Sequence, residues 1–273
     1  MLNNAVNVCD LEGPARELMP QGTWDYVAGG AADEHTLGWN DRAWQEQRLS
    51  PHVLVDVSTI DTGLRLLGPD LAHPLLVAPT AAQRNYHPDA ETATRRGTAA
   101  TGGLAVMSTL GSTLVEDLGT AADGPWWFQL YVQSDRAYSA ALVERAVTAG
   151  ARALVLTVDT PLLGARDRDR RIGGHTVDGL APAILADAPA SVDVLENADP
   201  LRRVYNRHLD PTVTWETLDW LVDLSPVPVL TKGVLRPDDA LRCVDHGAAG
   251  VIVSNHGARN LDTTPATAHA LPG

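Results

Sequence analysis

Lysine is almost missing from this sequence. Of the 21 lysine and arginine residues only Lys232 is lysine, so arginine serves wherever a generic positive charge is wanted and a lysine needs a local reason. Positive charge as a whole is short: 34 acidic residues leave a net charge of -13, which disfavours polyanions and removes nucleic acid from the expected partners. Cysteine is scarce too. Cys9 and Cys243 make neither a CxxC pair nor a disulfide framework, as suits a reducing cytoplasm. No apolar run approaches the ~18 residues that a membrane span needs. The start MLNNAVNVCDLEGPARELMP lacks the basic-then-apolar order of a signal peptide. The expectation is a cytoplasmic globular protein with no membrane partner.

What the sequence does contain is a recurring alternation. Short runs rich in Val, Leu and Ile stand at 74–80 (PLLVAPT), 104–109 (LAVMST), 126–132 (WWFQLYV), 153–159 (ALVLTVD), 227–233 (VPVLTKG) and 250–257 (GVIVSNHG). Continuous apolar runs of this length fit strands buried on both faces of a parallel sheet. Between them lie helix-like stretches at 89–101, 112–122, 135–150, 214–224 and 237–247, several opened by Ser, Thr, Asp or Pro and closed by glycine. Strand alternating with helix implies βα units. At 273 residues the chain is compatible with one α/β barrel domain, since such barrels run to about 250 residues. Residues 1–70 form a helical front segment in this reading. The stretch 165–212 is too long for an ordinary connection and is expected to be an active-site loop.

Polar residues collect at the carboxyl ends of the runs: Thr80, Ser108, Gln129 with Tyr131, Thr157 with Asp159, Lys232, and Ser254 with His256. Strand side chains alternate faces, so each i, i+2 pair points the same way. Any one of these hydroxyls or amides would ordinarily cap a turn, and a lone histidine is ordinarily structural. The convergence of an acid, a base, a lysine and arginines on one rim points instead to chemistry at a barrel mouth. Two chemistries suit it. Lys232 could form a Schiff base, or it could remain a fixed positive charge beside an anion. Arg166 and Arg259 favour the second, because their planar forks suit a carboxylate.

The motifs TWDYVAGGAADEHTL, VAPTAAQ, FQLYVQSDR, LTVDTPLLGARDRDRR, LTKGVL and SNHGARNLD resemble the FMN-dependent α-hydroxy acid oxidase and dehydrogenase family, whose members include glycolate oxidase, lactate oxidase and mandelate dehydrogenase. That resemblance implies a TIM (β/α)8 barrel, FMN as cofactor, no metal, and oxidation of an (S)-2-hydroxy acid to the 2-oxo acid. His256 is then the base, supported by Asp159. Arg166 and Arg259 hold the substrate carboxylate, and Tyr26 and Tyr131 hydrogen-bond the substrate. Lys232 faces the flavin, which Ala78, Pro79, Thr80, Ala81, Ser108, Gln129, Thr157 and Ser254 line. Leu110 stands where glycolate oxidase-like members carry tryptophan, which widens the pocket towards an aryl acid such as mandelate or 4-hydroxymandelate. Ala81 leans towards dioxygen as the electron acceptor.

Some positions depart from the family pattern. Ala258 replaces the second glycine of HGGR, and Asn260 replaces a glutamine; neither removes a reactive group. Only six strand runs are present, about six of the eight βα units, and the glycine-rich segments that bind the FMN phosphate do not appear before Gly273. The expected assembly is a homo-oligomer, with a separate C-terminal chain as one way of completing the barrel. A flavin-free binding protein and a Schiff-base lyase using Lys232 are the competing readings.

Overall fold

The structure is a computed structural model that describes residues 5–171, 183–188 and 209–272. Most of the stretch expected to form the long loop, namely 172–182 and 189–208, lies outside the described residues.

Helices α1 (Glu12–Leu18), α2 (Gln21–Ala28) and α3 (His35–Gln45) open the chain. The helical front segment therefore stops well before residue 70. Residues 47–63 run without regular secondary structure into a two-residue hairpin of β1 (Leu64–Arg65) and β2 (Asp70–Leu71), which the sequence reading does not anticipate.

The six apolar runs all become strands: β3 (Leu76–Val77), β4 (Leu104–Ser108), β5 (Trp126–Leu130), β6 (Leu154–Thr157), β7 (Val229–Val234) and β8 (Gly250–Val253). They pair in chain order, and every pairing is parallel. Each of the first three connections carries a helix: α4 (Ala90–Ala100), α5 (Val115–Thr120) and α6 (Arg136–Thr148). After β6 come α7 (Asp167–Arg171) and α8 (Trp215–Leu224), then α9 (Pro237–Asp245) and α10 (Thr267–Ala270). Some of the start signals act as expected, whereas Asp89 makes no side-chain cap on α4 and α5 begins after Leu114 rather than at Ser112. Asp135 caps α6 through the amide of Tyr138 at 3.0 Å, and Pro237 opens α9, where a missing N–H costs nothing.

Alternation divides the strands into two packed layers. Met107, Phe128, Leu130, Leu154 and Leu156 face outward onto Leu118, Leu142, Val143, Leu218 and Leu221 of the helices. Each such side chain contributes roughly 1.5–3 kcal/mol by leaving water. Val106, Trp127, Val155 and Leu230 face inward and pack with Leu71 of the hairpin, which covers one end of the sheet's interior. The inward register continues to Ser108, Gln129, Thr157, Lys232 and Ser254, so the polar residues at the carboxyl ends share one concave surface.

Candidate active site

Register sets the floor of the site. Ser108 pairs with Gln129 across β4 and β5, and Thr157 pairs with Lys232 across β6 and β7. The Ser108 hydroxyl donates to Gln129 Oε1 at 3.1 Å, and Gln129 Nε2 donates to the Thr157 hydroxyl at 3.0 Å. This hydroxyl–amide–hydroxyl row is buried, which fixes where its remaining donors and acceptors point. Lys232 is 8% exposed, and burial lowers its pKa while the nearby Asp159 carboxylate opposes that shift.

β8 ends in a strained turn. His256, Gly257 and Ala258 all take positive φ, 58°, 63° and 61°, a region that costs a side-chain-bearing residue roughly 1–2 kcal/mol. Ala258 therefore carries a side chain at a left-handed position, a cost its sequence motif does not reveal. The turn persists because it is over-determined. Ser254 Oγ accepts the His256 amide at 3.0 Å. Asn255 and Asn40 of α3 exchange hydrogen bonds at 2.7 and 3.2 Å. The Ala31 amide donates to the Ala258 carbonyl at 2.7 Å, and Asp262 accepts the amides of His35 and Thr36 at 3.2 and 2.8 Å. Burial opposes ionisation of Asp262, but the amides of Thr36, Thr263 and His35 outweigh it and hold its pKa at about 2.

Within this frame His256 Nδ1 lies 2.8 Å from Asp159 Oδ1. A carboxylate can only accept, so the Nδ1 hydrogen is assigned to that bond and Nε2 is left as the acceptor. Tyr131 Oη stands 3.4 Å from Nε2. Burial pushes the His256 pKa down, with Lys232 and Arg259 adding to that; the bond to Asp159 and its charge pull the other way. The net direction is downward, so the ring is neutral at neutral pH, as a base must be.

Asp159 is itself held from two sides. Asn260 Nδ2 donates to the Asp159 carbonyl at 2.8 Å and to the Thr160 hydroxyl at 2.7 Å, and that hydroxyl lies 3.2 Å from Asp159 Oδ1. On the other side Gly233 packs against the carboxylate: at its φ of 111° an added Cβ would overlap Asp159 Cβ and Cγ. Only glycine both adopts that backbone and clears that space.

A cavity of about 300 Å³ joins these groups. Ala78, Pro79, Thr80 and Ala81 after β3 form one wall, with Ser108, Gln129, Thr157, Lys232 and Ser254 as its floor. Tyr26, Tyr131, Arg166, His256 and Arg259 close the opposite side. Every residue expected at the site except Asp159 lines this cavity; Asp159 stands behind His256. The guanidinium groups of Arg166 and Arg259 lie over the ring of Tyr26, at 4.9 and 4.8 Å from its centroid. Arg259 Nη1 also donates to the carbonyls of Tyr26 and Gly29 at 2.7 and 2.9 Å, capping the end of α2. Arg259 thus joins the turn after β8 to the front segment. Tyr86 and Leu110 also line the cavity; the sequence reading did not place Tyr86 here. A larger cavity of about 520 Å³ lies beside Tyr131 and Thr157, between β7 and helices α8 and α9. It is mostly apolar and includes neither His256 nor Lys232.

The sequence matches the family described as FMN-dependent dehydrogenase over residues 15–273. The chain belongs to this family. It is 40% identical over 274 residues to the peroxisomal (S)-2-hydroxy-acid oxidase of Oryza sativa subsp. japonica, covering 98% of this chain and 73% of the relative. It is also 40% identical to the L-lactate oxidase of Nostoc sp., covering 99% of this chain and 76% of that protein. Among solved structures, a mandelate oxidase with (S)-4-hydroxymandelic acid superposes with a TM-score of 0.90 at 35% identity, covering 98% of this chain and 75% of that one. The architecture is accordingly that of the family's TIM barrel, with six of its parallel strands among the described residues. The donor set fits FMN: a row of alternating hydroxyl and amide groups beside a buried ammonium matches the hydrogen-bonding edge of an isoalloxazine ring.

Proposed function

We propose that this family member oxidises an aryl (S)-2-hydroxy acid, of the mandelate or 4-hydroxymandelate type, to the corresponding 2-oxo acid. The observation that carries this reading is the His256–Asp159 pair at 2.8 Å, with Nε2 opposite Tyr131 in a cavity that also holds Arg166, Arg259 and Lys232. Arg166 and Arg259 bind the substrate carboxylate through planar donors. Tyr26 and Tyr131 orient the substrate by hydrogen bonds. His256 Nε2 receives a proton from carbon 2 or from its hydroxyl, and Asp159 stabilises the imidazolium that forms. Such a base contributes about 10²–10⁴-fold to rate. An FMN held here would take up the two electrons, the second hydrogen leaving either with them as hydride from carbon 2 or as the hydroxyl proton. Ala78, Pro79, Thr80, Ala81, Ser108, Gln129, Thr157 and Ser254 hold the ring, and Lys232 offsets negative charge at its polar edge. Ala81 favours dioxygen as the final acceptor.

Residues 1–273 act in this reading as one domain. Its two open sheet edges, β3 and β8, are covered by further βα units, from a continuation of the chain or from a second polypeptide, and the assembly is oligomeric. The free cysteines, Cys9 and Cys243, suit the cytoplasm. No helix among the described residues is long and apolar enough to cross a membrane.

The test is anaerobic addition of (S)-mandelate to the FMN-reconstituted chain. The flavin colour is expected to bleach in the parent and to persist over the same interval in His256→Gln, with FMN still bound. A parent that takes up FMN and stays yellow under mandelate, lactate and glycolate contradicts the reading.

A further inference from the structure

We propose that Thr160 and Asn260 are positioning residues for the base: together they orient a hydroxyl that holds the Asp159 carboxylate by one oxygen and keeps the ring hydrogen of His256 on Nδ1. The inference rests on the 2-hydroxy acid reading above and adds two residues to it.

The direction of every hydrogen in this cluster follows from one carbonyl. The Asp159 carbonyl can only accept, so the Asn260 side-chain atom that stands 2.8 Å from it is the amide nitrogen. That nitrogen has a second hydrogen, which it donates to Thr160 Oγ1 at 2.7 Å. With Asn260 donating to it, Thr160 turns its own hydrogen the other way. There Asp159 Oδ1 and His256 Nδ1 both lie at 3.2 Å. The carboxylate is the stronger acceptor, and Nδ1 stands 2.8 Å from the same Oδ1. The hydroxyl hydrogen and the ring hydrogen therefore meet on Oδ1.

This convergence has consequences for the base. Asp159 Oδ2 is buried and has no hydrogen-bond partner among the described residues, so the carboxylate is tied down through Oδ1. Held by the Nδ1 bond alone, it can turn about its Cβ–Cγ bond; the Thr160 hydroxyl opposes that turn. A second donor on Oδ1 also makes it a weaker base, so the hydrogen stays on Nδ1 and Nε2 faces the cavity bare. The nitrogen of Asn260 is essential to this order. With an acceptor in its place, Thr160 would donate to residue 260 and offer a lone pair to Nδ1, competing with Asp159 for the ring hydrogen.

The experiment follows two properties of the FMN-reconstituted chain. In the nitrogen NMR spectrum of protein isotope-labelled at histidine, with His256→Gln identifying the signal, the parent is expected to carry hydrogen on Nδ1 and a bare Nε2 at neutral pH. Thr160→Val keeps the side-chain shape without the hydroxyl. It should mix the two tautomers and slow flavin reduction by (S)-mandelate about tenfold, while the affinity for pyruvate, a 2-oxo acid bound through its carboxylate, changes by less than about twofold. Thr160→Ser returns the hydroxyl and should bring the rate back to within about threefold of the parent. Asn260→Asp puts an acceptor where the nitrogen stood and should shift both properties in the same direction, which decides the matter even if Thr160→Val does not fold. Because the two residues act in series, the double variant should be no slower than the slower single one. A parent with its hydrogen on Nε2, or an unchanged tautomer and rate in Thr160→Val and Asn260→Asp, overturns the proposal. A parent that binds FMN but is reduced by neither mandelate, lactate nor glycolate overturns the hydroxy acid reading, and the tautomer of His256 then judges the two positioning residues separately.

Discussion

The catalytic turn after β8 and the loop after β3 border the same cavity, yet they are held in different ways. The β8 turn sits at one open edge of the sheet, and its strand is only partly buried. It is braced from outside the sheet by Asn40, Ala31 and the amides of His35 and Thr36, more than 200 residues earlier in the chain. The β3 side has short strand pairing, with Leu75, Leu76 and Val77 all exposed, so this run is not buried on both faces as expected. Its order comes from within, through Glu91 of α4, whose buried carboxylate accepts the amides of Gln83 and Ser112 at 3.2 and 2.9 Å and the Thr113 hydroxyl at 2.7 Å. His256 and Arg259 are thus positioned by the front segment more than by sheet closure. The wall opposite is positioned mainly by a buried carboxylate, with the Ala82–Leu110 and Arg84–Ser112 bonds beside it.

Substitutions can break the catalytic side of this comparison in graded steps. The largest effect is expected from Gly233→Ala, which drives a Cβ into Asp159 at a backbone angle that already disfavours side chains. The strain is on the order of 1–3 kcal/mol. Flavin reduction should fall well over tenfold while pyruvate affinity stays near that of the parent, a split that general destabilisation would not produce. Equal losses in both would place Gly233 outside the positioning of Asp159. Arg259→Lys comes next, because a point charge reproduces neither the fork on the carboxylate nor the cap on α2. Pyruvate affinity is expected to drop about tenfold, with a lowered melting temperature. Undiminished affinity would assign the carboxylate elsewhere.

Asp262→Ala should have the smallest effect, since it removes the acceptor of two first-turn amides of α3 and of the Thr263 amide. The cost is about 1 kcal/mol by denaturant titration at neutral pH. Its pH dependence has a definite sign. The folded-state pKa is lowered from 3.8 to about 2, so the difference between parent and variant is full above 3.8 and closes as pH falls through about 2. A difference that vanishes above 3.8 would remove Asp262 as the anchor of the turn.

The contrast also explains what could be read in advance. All six strands were legible, because continuous apolar runs ending in Thr, Gln, Lys or Ser combine the signals of burial and of a functional rim. The common direction of Gln129 with Tyr131 followed from side-chain alternation, whereas Ser108 and Lys232 were placed by their positions at the ends of apolar runs. The hairpin at Leu64–Leu71 left no signal, being two residues per strand. Glu91 was illegible for another reason: within DAETATRR it reads as an ordinary polar face of a helix, and its donors are 8 to 22 residues away. Gly233 carried no sign that its backbone faces Asp159, and Asp262 none that it caps a helix 226 residues earlier. Contacts of that separation leave no local pattern, so the bracing of the catalytic turn had to come from the fold.

The claim that a buried, neutral His256 takes the substrate proton is tested most directly by the rate of anaerobic flavin reduction by (S)-mandelate as a function of pH. Protonation silences the base, and burial lowers its pKa, so the acid limb should lie below 6.5. Loss of the Lys232 charge, whose pKa is also lowered, should bring the alkaline limb in below 10.5. An acid limb at or above 6.5 in the parent, or one unchanged in position and height in His256→Gln, would contradict the account.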